Sequence, residues 1–166
     1  EAMTEALAKA GTCDFVLILP HWGEEYILKH SATQESYARW FVKQGADAII
    51  GAHPHVIQDI QEIDGTPVFY SIGNAVSNMS AANTQMELMV TLKIVRYHNG
   101  NIKLLEPEYE LLWCSRPGGY GDSYYVIPLT DYLDRSDEWK GRWDYEKMLA
   151  TYRRVSSMTG INENIR

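Results

Sequence analysis

The hydrophobic pattern in the first part of the chain predicts a parallel βαβ unit. Residues 1–10 follow a helical spacing that Gly11 would end, and residues 15–19 form a continuous apolar run. Continuous apolar runs of this length are typical of strands buried on both faces of a sheet. Residues 33–44 repeat the helical spacing, and residues 46–51 form a second short apolar strand. Two strands joined by one helix predict a parallel crossover.

The pattern then changes to one that favours antiparallel strands. Residues 56–63 and 67–72 are strand-like, and Asp64-Gly65 between them is a strong signal for a hairpin turn. Four further elements are predicted in order. They are a half-exposed strand at 86–94, a hairpin that turns at Asn99-Gly100 and runs over 99–113, a Gly-rich loop at 115–122 and a final helix at 144–157. The predicted fold class is therefore α/β (α+β), with a parallel βαβ unit followed by antiparallel hairpins and a terminal helix.

Composition excludes several classes of protein. The 166 residues are 45% hydrophobic and 11% aromatic, which excludes a disordered chain. With 15 basic and 22 acidic residues the formal net charge is −7, so neither nucleic-acid binding nor an anionic-membrane footprint is supported. The longest apolar run is far too short to span a membrane. Cys13 and Cys114 are too few for a disulfide framework, and we interpret them as two free thiols, with a single bridge as the alternative.

Histidines follow directly after two predicted strands, where α/β sheets place their ligands. His21 follows the first strand and His53-Pro54-His55 follows the second. Residues two apart in an extended segment project on the same side, and Pro54 restrains its neighbour, so both imidazoles should be held together. Imidazole is a good ligand for zinc, iron or nickel. The pattern predicts a metal site or, alternatively, a packed and hydrogen-bonded loop. His30 and His98 lack such company and are interpreted as surface residues.

Three ordered motifs resemble the CapA family of bacterial capsule-synthesis or poly-γ-glutamate-synthesis proteins, which is related to calcineurin-like metallophosphoesterases. They are His-Trp-Gly-Glu-Glu-Tyr at 21–26, Gly-Ala-His-Pro-His-Val-Ile-Gln at 51–58 and Tyr-Ser-Ile-Gly-Asn at 70–74. The resemblance covers about residues 14–78 and continues more weakly to Trp113. It implies the C-terminal portion of a four-layer α/β/β/α sandwich. Residues 1–114 would belong to that domain, and 115–166 would be a loop and a helix packed on it.

The resemblance also implies a two-metal centre of divalent Mn, Fe or Zn ions. His21 and His53 would bind one ion and His55 the other, and such a pair polarises a phosphoryl oxygen and generates a hydroxide nucleophile. Glu24 and Asn74 would be the catalytic candidates, the first as an orienting group or substrate contact and the second at the rim of the cleft.

The remaining ligands of the related fold come from Gly-Asp-x-His and Asn-His motifs, which these 166 residues lack. The chain also begins within a helical pattern that carries no cap, as expected for the middle of an alternating α/β fold. We therefore expect a missing N-terminal half, on the same native chain or on a partner chain, to complete the site. The 166 residues alone should be inactive.

Two main functions follow as expectations. The first is capsule or poly-γ-glutamate biosynthesis with metal-dependent hydrolysis or transfer at the phosphoester of a phosphorylated substrate. The alternative is a non-catalytic envelope protein that binds an anionic polymer such as polyglutamate, and a third is a merely hydrogen-bonded histidine cluster. The resemblance implies the cell envelope or the extracellular side of a bacterial membrane, with the cytoplasm left open. An unpaired sheet edge would favour a homo-oligomer.

Overall fold

The computed structural model describes residues 2–162 as a mixed α/β fold with three sheets. Two 3₁₀ turns, Thr130–Tyr132 and Ser136–Glu138, precede the last helix. The helices and strands are α1 (Ala2–Ala10), β1 (Leu17–Ile18), α2 (Ala32–Lys43), β2 (Ala48–Ile50), β3 (Ile60–Ile63), β4 (Thr66–Phe69), β5 (Met86–Thr91), β6 (Ile94–Arg96), β7 (Ile102–Leu104), β8 (Glu108–Ser115), β9 (Tyr125–Pro128) and α3 (Arg142–Thr159).

The predicted parallel crossover is confirmed. Strands β1 and β2 pair in parallel, and α2 connects them. Helix α2 begins at a capping box in which the Ser31 hydroxyl accepts from the backbone N–H of Gln34, whose side chain accepts from the backbone N–H of Ser31. The chain leaves the helix through Gly45 at φ +95°, a conformation that favours glycine.

The prediction that residues 15–19 form a strand buried on both faces is wrong. Only Leu17 and Ile18 are in strand conformation, and the side chains of Leu17 and Leu19 are 40% and 69% exposed. The reason is the strand order β1-β2-β4-β3 of the first sheet, here called sheet A. Strand β1 lies at its edge and, within residues 2–162, hydrogen-bonds to one neighbouring strand. An apolar run alone does not distinguish such an edge strand from a central one.

Both predicted hairpins are present. Asp64 and Gly65 have φ of +49° and +82°, the two positive values that a type I′ turn requires, and they join the antiparallel strands β3 and β4. Strand β4 also pairs in parallel with β2. The hairpin at Asn99-Gly100 joins β6 to β7. The predicted strands around it are each divided in two, into β5 and β6 before the turn and β7 and β8 after it.

Two apolar clusters cover the two faces of sheet A. Ile49 and Val68 point into a cluster with α1 and α2, whereas their neighbours Ile50 and Phe69 face a larger cluster. The larger cluster contains Trp113 and other residues of the second sheet, sheet B (order β5-β8-β9), together with the buried face of the final helix. Helix α3 extends the predicted helix by two residues at each end. No helix within residues 2–162 is long and apolar enough to cross a membrane.

Candidate functional site

The histidines lie at the carboxyl edge of sheet A, just beyond strands β1 and β2. The parallel pairing continues past both strands as an isolated bridge between His21 and Ala52. The backbone N–H of Ala52 donates to Pro20 O at 3.0 Å, and that of Trp22 donates to Ala52 O at 3.0 Å. These bonds bring the segment after β1 alongside the segment after β2, so that His21 lies next to His53.

His21 and His53 are in direct contact. The Nε2 atom of His21 lies 2.9 Å from the Nδ1 atom of His53, and the ring centroids are 4.6 Å apart. His21 is exposed and His53 is partly exposed. One ring donates and the other accepts, so this pair can exist as a hydrogen bond. Two ligands of one tetrahedral zinc ion would have nitrogens about 3.3 Å apart, since each Zn–N bond is about 2.0–2.1 Å.

His55 lies beside this pair but has a different partner. Its ring centroid is 6.2 Å from that of His53, and its Nδ1 atom lies 2.9 Å from Oδ1 of Asn74. The ring of Tyr26 stacks on that of His55, with their centroids 6.3 Å apart. The structure therefore brings His21, His53, His55 and Asn74 together. Glu24 is exposed on the loop after His21, and within residues 2–162 no side-chain hydrogen bond joins it to the histidines.

The backbone of the His-Pro-His segment differs from the prediction. His53 has φ +106° and His55 has φ +59°, so the segment turns instead of running extended, and the argument from alternating side chains was wrong. Positive φ in residues other than glycine costs of order 1–3 kcal/mol each and concentrates at functional sites. The turn is held on both sides by backbone bonds, from Gly51 N–H to Phe69 O at 2.7 Å and from Tyr26 N–H to Pro54 O at 2.8 Å.

A pair of buried glutamines, which the sequence analysis missed, holds the loop after His21. Gln34 and Gln58 are 2% and 1% exposed, and Nε2 of Gln34 donates to Oε1 of Gln58 at 2.8 Å. Nε2 of Gln58 in turn donates to the carbonyls of Ile27 and Lys29 at 2.9 and 3.2 Å. The capping pattern Ser-x-x-Gln at 31–34 was the available signal for the first glutamine.

Trp22, the residue after His21, packs closely against Tyr70. The Trp22 indole stacks on Tyr70 with centroids 5.8 Å apart, and its Nε1 donates to Tyr70 O at 2.8 Å. Gly51 permits this approach, because a Cβ there would lie 2.2 Å from Tyr70 O. Burial raises the pKa of the Tyr70 phenol, which donates to Oε1 of Gln61 at 2.7 Å. The residues next to His21 and His53 in sequence are therefore closely packed.

His30 is not a surface residue. Its ring stacks on Tyr70 with centroids 3.9 Å apart, and its Nδ1 lies 2.9 Å from Oδ2 of Asp59. The backbone N–H of His30 also donates to Oδ1 of Asp59 at 3.1 Å. The prediction failed because Asp59 and Tyr70, just before β3 and just after β4, lie far from His30 in sequence. His98 is exposed, as predicted.

Imidazole nitrogens of three histidines are the potential metal ligands that this site offers. His21 and His53 offer two imidazole nitrogens at nearly the separation that one ion needs, and His55 lies beside them. Within residues 2–162, no group of three or more His, Cys, Asp or Glu side chains is arranged to hold an ion. The free Cys114 is buried and Cys13 is exposed, and neither lies among the histidines.

The fold and the site define an α/β domain with a histidine cluster at the carboxyl ends of parallel strands. Residues 1–79, which contain all three motifs, match the family described as bacterial capsule synthesis protein PGA_cap. The chain is 42% identical over 82 residues to the capsule biosynthesis protein CapA of Bacillus anthracis, and 34% identical over 91 residues to the PGA biosynthesis protein CapA of Bacillus subtilis (strain 168). Over this region the chain is therefore similar to the CapA family. These alignments cover 49% and 55% of this chain, but only 20% and 24% of the two relatives.

Proposed function

We propose that the chain is part of a protein of bacterial capsule or poly-γ-glutamate synthesis, and that its histidine cluster holds a divalent metal ion at the cell envelope. The contact between His21 and His53, at 2.9 Å on the carboxyl edge of sheet A, is the observation that carries the metal site. The names of the two relatives, a capsule and a PGA biosynthesis protein, support the process.

Each side chain of the site would have its own role in holding metal ions or substrate. His21 and His53 would offer one nitrogen each to a first ion, and His55 would face a second, of Mn, Fe or Zn. When bound, such ions act as Lewis acids at a phosphoryl oxygen of the substrate. Glu24 lies exposed on the loop after His21, where a polar contact to an incoming substrate is possible. The buried glutamines would keep that loop in place.

A further segment would complete the site. The relatives are four to five times as long as the matched region, since it covers 20% and 24% of them. Leu17 of β1 and Leu19 just after it are exposed at the edge of sheet A, a few residues before His21. A strand paired there in parallel would bring its own carboxyl end next to the histidines. We propose that this strand belongs to the same native chain or to a partner chain.

Metal content of the whole protein tests the proposal. We expect inductively coupled plasma mass spectrometry to find metal in the wild-type protein and a clear loss in His53→Ala. His98→Ala is the matched control, because His98 is exposed and distant from the motifs in sequence, and its metal content should equal the wild type. Absence of metal after loading with manganese or zinc would refute the metal site.

A second measurement separates catalysis from binding of an anionic polymer. Hydrolysis of a generic phosphomonoester or phosphodiester that is lost in His53→Ala would support a phosphoesterase. Metal binding without such hydrolysis, together with retention of polyglutamate on the immobilised protein, would favour the non-catalytic alternative. The hydrogen bond between His21 and His53 forms without a metal ion. The experiment therefore also tests the non-catalytic, polymer-binding function.

A further inference from the structure

The amide of Asn74 has only one orientation that satisfies its neighbours. Its Nδ2 atom lies 3.1 Å from the carbonyl oxygen of His55 and 3.1 Å from that of Thr84. Both neighbours only accept hydrogen bonds, so the NH₂ group must face them. In the reversed orientation, the amide oxygen would lie against two carbonyl oxygens. The Oδ1 atom of Asn74 must therefore face the ring of His55, where it lies 2.9 Å from Nδ1.

This orientation decides which ring nitrogen of His55 carries the proton. An amide oxygen can only accept, so Nδ1 of His55 must donate the hydrogen bond that joins them. In the neutral ring the lone pair then belongs to Nε2, and this nitrogen becomes the only acceptor of the imidazole. The adjacent pair differs, because each nitrogen in the contact of His21 with His53 can be donor or acceptor.

Asn74 also restrains the position of the ring. It binds the side chain and the backbone carbonyl of the same residue, and that residue has φ +59°. Gly73, at φ +79°, forms an isolated bridge to Glu87 of β5 and thereby anchors the asparagine to sheet B. A Cβ at Gly73 would lie 2.3 Å from Met86 O, so this approach needs glycine.

We propose that Asn74 is a positioning residue that fixes His55 as its Nδ1–H tautomer and presents Nε2 to an incoming metal ion or substrate proton. The tautomer follows from the hydrogen bonds alone, whereas the use of Nε2 rests on the proposed function. Metal-ligating histidines commonly donate their other ring N–H to an oxygen acceptor in this way.

Nuclear magnetic resonance of the protein labelled with ¹⁵N-histidine tests the tautomer directly. Long-range ¹H–¹⁵N spectra at about pH 9, where imidazoles are neutral, distinguish a protonated from an unprotonated ring nitrogen. For His55 we expect a protonated Nδ1 and an unprotonated Nε2. A His55 signal with the proton on Nε2 in the folded wild-type protein would overturn the proposal, whatever the variants do.

Variants then assign the effect to Asn74. Asn74→Ala should lower the ratio of the Nδ1–H to the Nε2–H form by about tenfold, because it removes the one hydrogen bond that favours a proton on Nδ1. Asn74→Asp retains an acceptor for Nδ1, so the Nδ1–H form should persist in the folded variant, while its second oxygen, placed against the carbonyls of His55 and Thr84, should lower stability. Asn101→Ala, at an exposed asparagine of the second hairpin, is the control and should leave the spectrum unchanged. An unchanged ratio in folded Asn74→Ala would also overturn the assignment.

The same samples separate this proposal from the metal proposal. A protein that binds no metal but shows the Nδ1–H form of His55 would leave the positioning role intact and refute the metal site. A protein that binds metal while its metal-free form has the proton on Nε2 would refute the positioning role alone.

Discussion

Replacing Gln58 by methionine should destabilise the fold through lost hydrogen bonds, with little change in packing. Methionine has about the same length and fills the same space, so the cavity contribution is small. The substitution removes three hydrogen bonds of a side chain that is 1% exposed. Two of them end on carbonyls in the loop after His21, and the third comes from Gln34.

The size of the effect follows from what each former partner can do. Gln34 is 2% exposed, so its amide would remain buried without its acceptor, which costs about 1–3 kcal/mol. Ile27 and Lys29 are exposed residues whose carbonyls can turn to water, so each lost bond counts about 0.5 kcal/mol. The free energy of unfolding should therefore fall by about 2–4 kcal/mol.

Urea denaturation followed by tryptophan fluorescence measures this change. Gln61→Met is a comparison with one lost acceptor instead of three lost bonds. It leaves the hydroxyl of Tyr70, which is 0% exposed, without that acceptor, and it should cost about 1–3 kcal/mol. In the double variant Gln34→Met/Gln58→Met no buried amide is left unpaired. Its loss in free energy of unfolding should therefore be smaller than the sum of the two single losses, by at least about 1 kcal/mol. A loss below about 0.5 kcal/mol in Gln58→Met, or strict additivity in the double variant, would refute the reasoning.

Two further predictions concern close packing and pH. Gly51→Ala should lower the free energy of unfolding by about 2–4 kcal/mol in urea denaturation, because the new Cβ would lie 2.2 Å from Tyr70 O and 2.4 Å from Nε1 of Trp22. A Cβ at Gly65 would meet no atom, but the residue has φ +82°, so Gly65→Ala should lower the free energy of unfolding by about 1 kcal/mol. Equal losses in both variants would contradict the packing argument. Burial raises the pKa of the Glu87 carboxyl, so its contribution to stability is present below the ordinary value of 4.5 and is lost as pH rises through the raised value. Glu87→Gln should therefore raise Tm at pH 7 and change it little at pH 3.5; an equal shift at both would contradict the burial effect.

The fold could be predicted from the sequence where the information is local. Asp64-Gly65 specifies its hairpin because the turn itself requires two positive φ values. The spacing of apolar residues in α2 is likewise contained within one helix. Strand β9 was missed because its pairing with β8 is what makes it a strand, and its Tyr-Val-Ile-Pro sequence follows a glycine-rich loop. The exposure of β1 depends on its place in the sheet, which no local pattern records.

The candidate site divides in the same way. That His21 and His53 would meet was predictable, because the carboxyl ends of neighbouring parallel strands share one edge of the sheet. The positive φ at His53 was not, because the turn is closed by bonds to residues of other segments. Gln34 and Gln58 come from a helix and from the segment before β3, and only the packed structure shows that they form one hydrogen-bonded pair.

The energetics of the His-Pro-His turn favour a functional role over simple packing. Two positive φ values, at His53 and His55, each cost of order 1–3 kcal/mol, and a loop that only had to close the chain could place glycine or asparagine there. The surrounding hydrogen bonds keep the turn in its strained conformation. Asn74 bonds to the ring and the carbonyl of His55, and Gln58 bonds to the loop after His21. The cluster therefore combines a strained backbone, an exposed His21 beside a partly exposed His53, and closely packed aromatic residues, which is the arrangement expected where imidazole nitrogens must keep fixed directions.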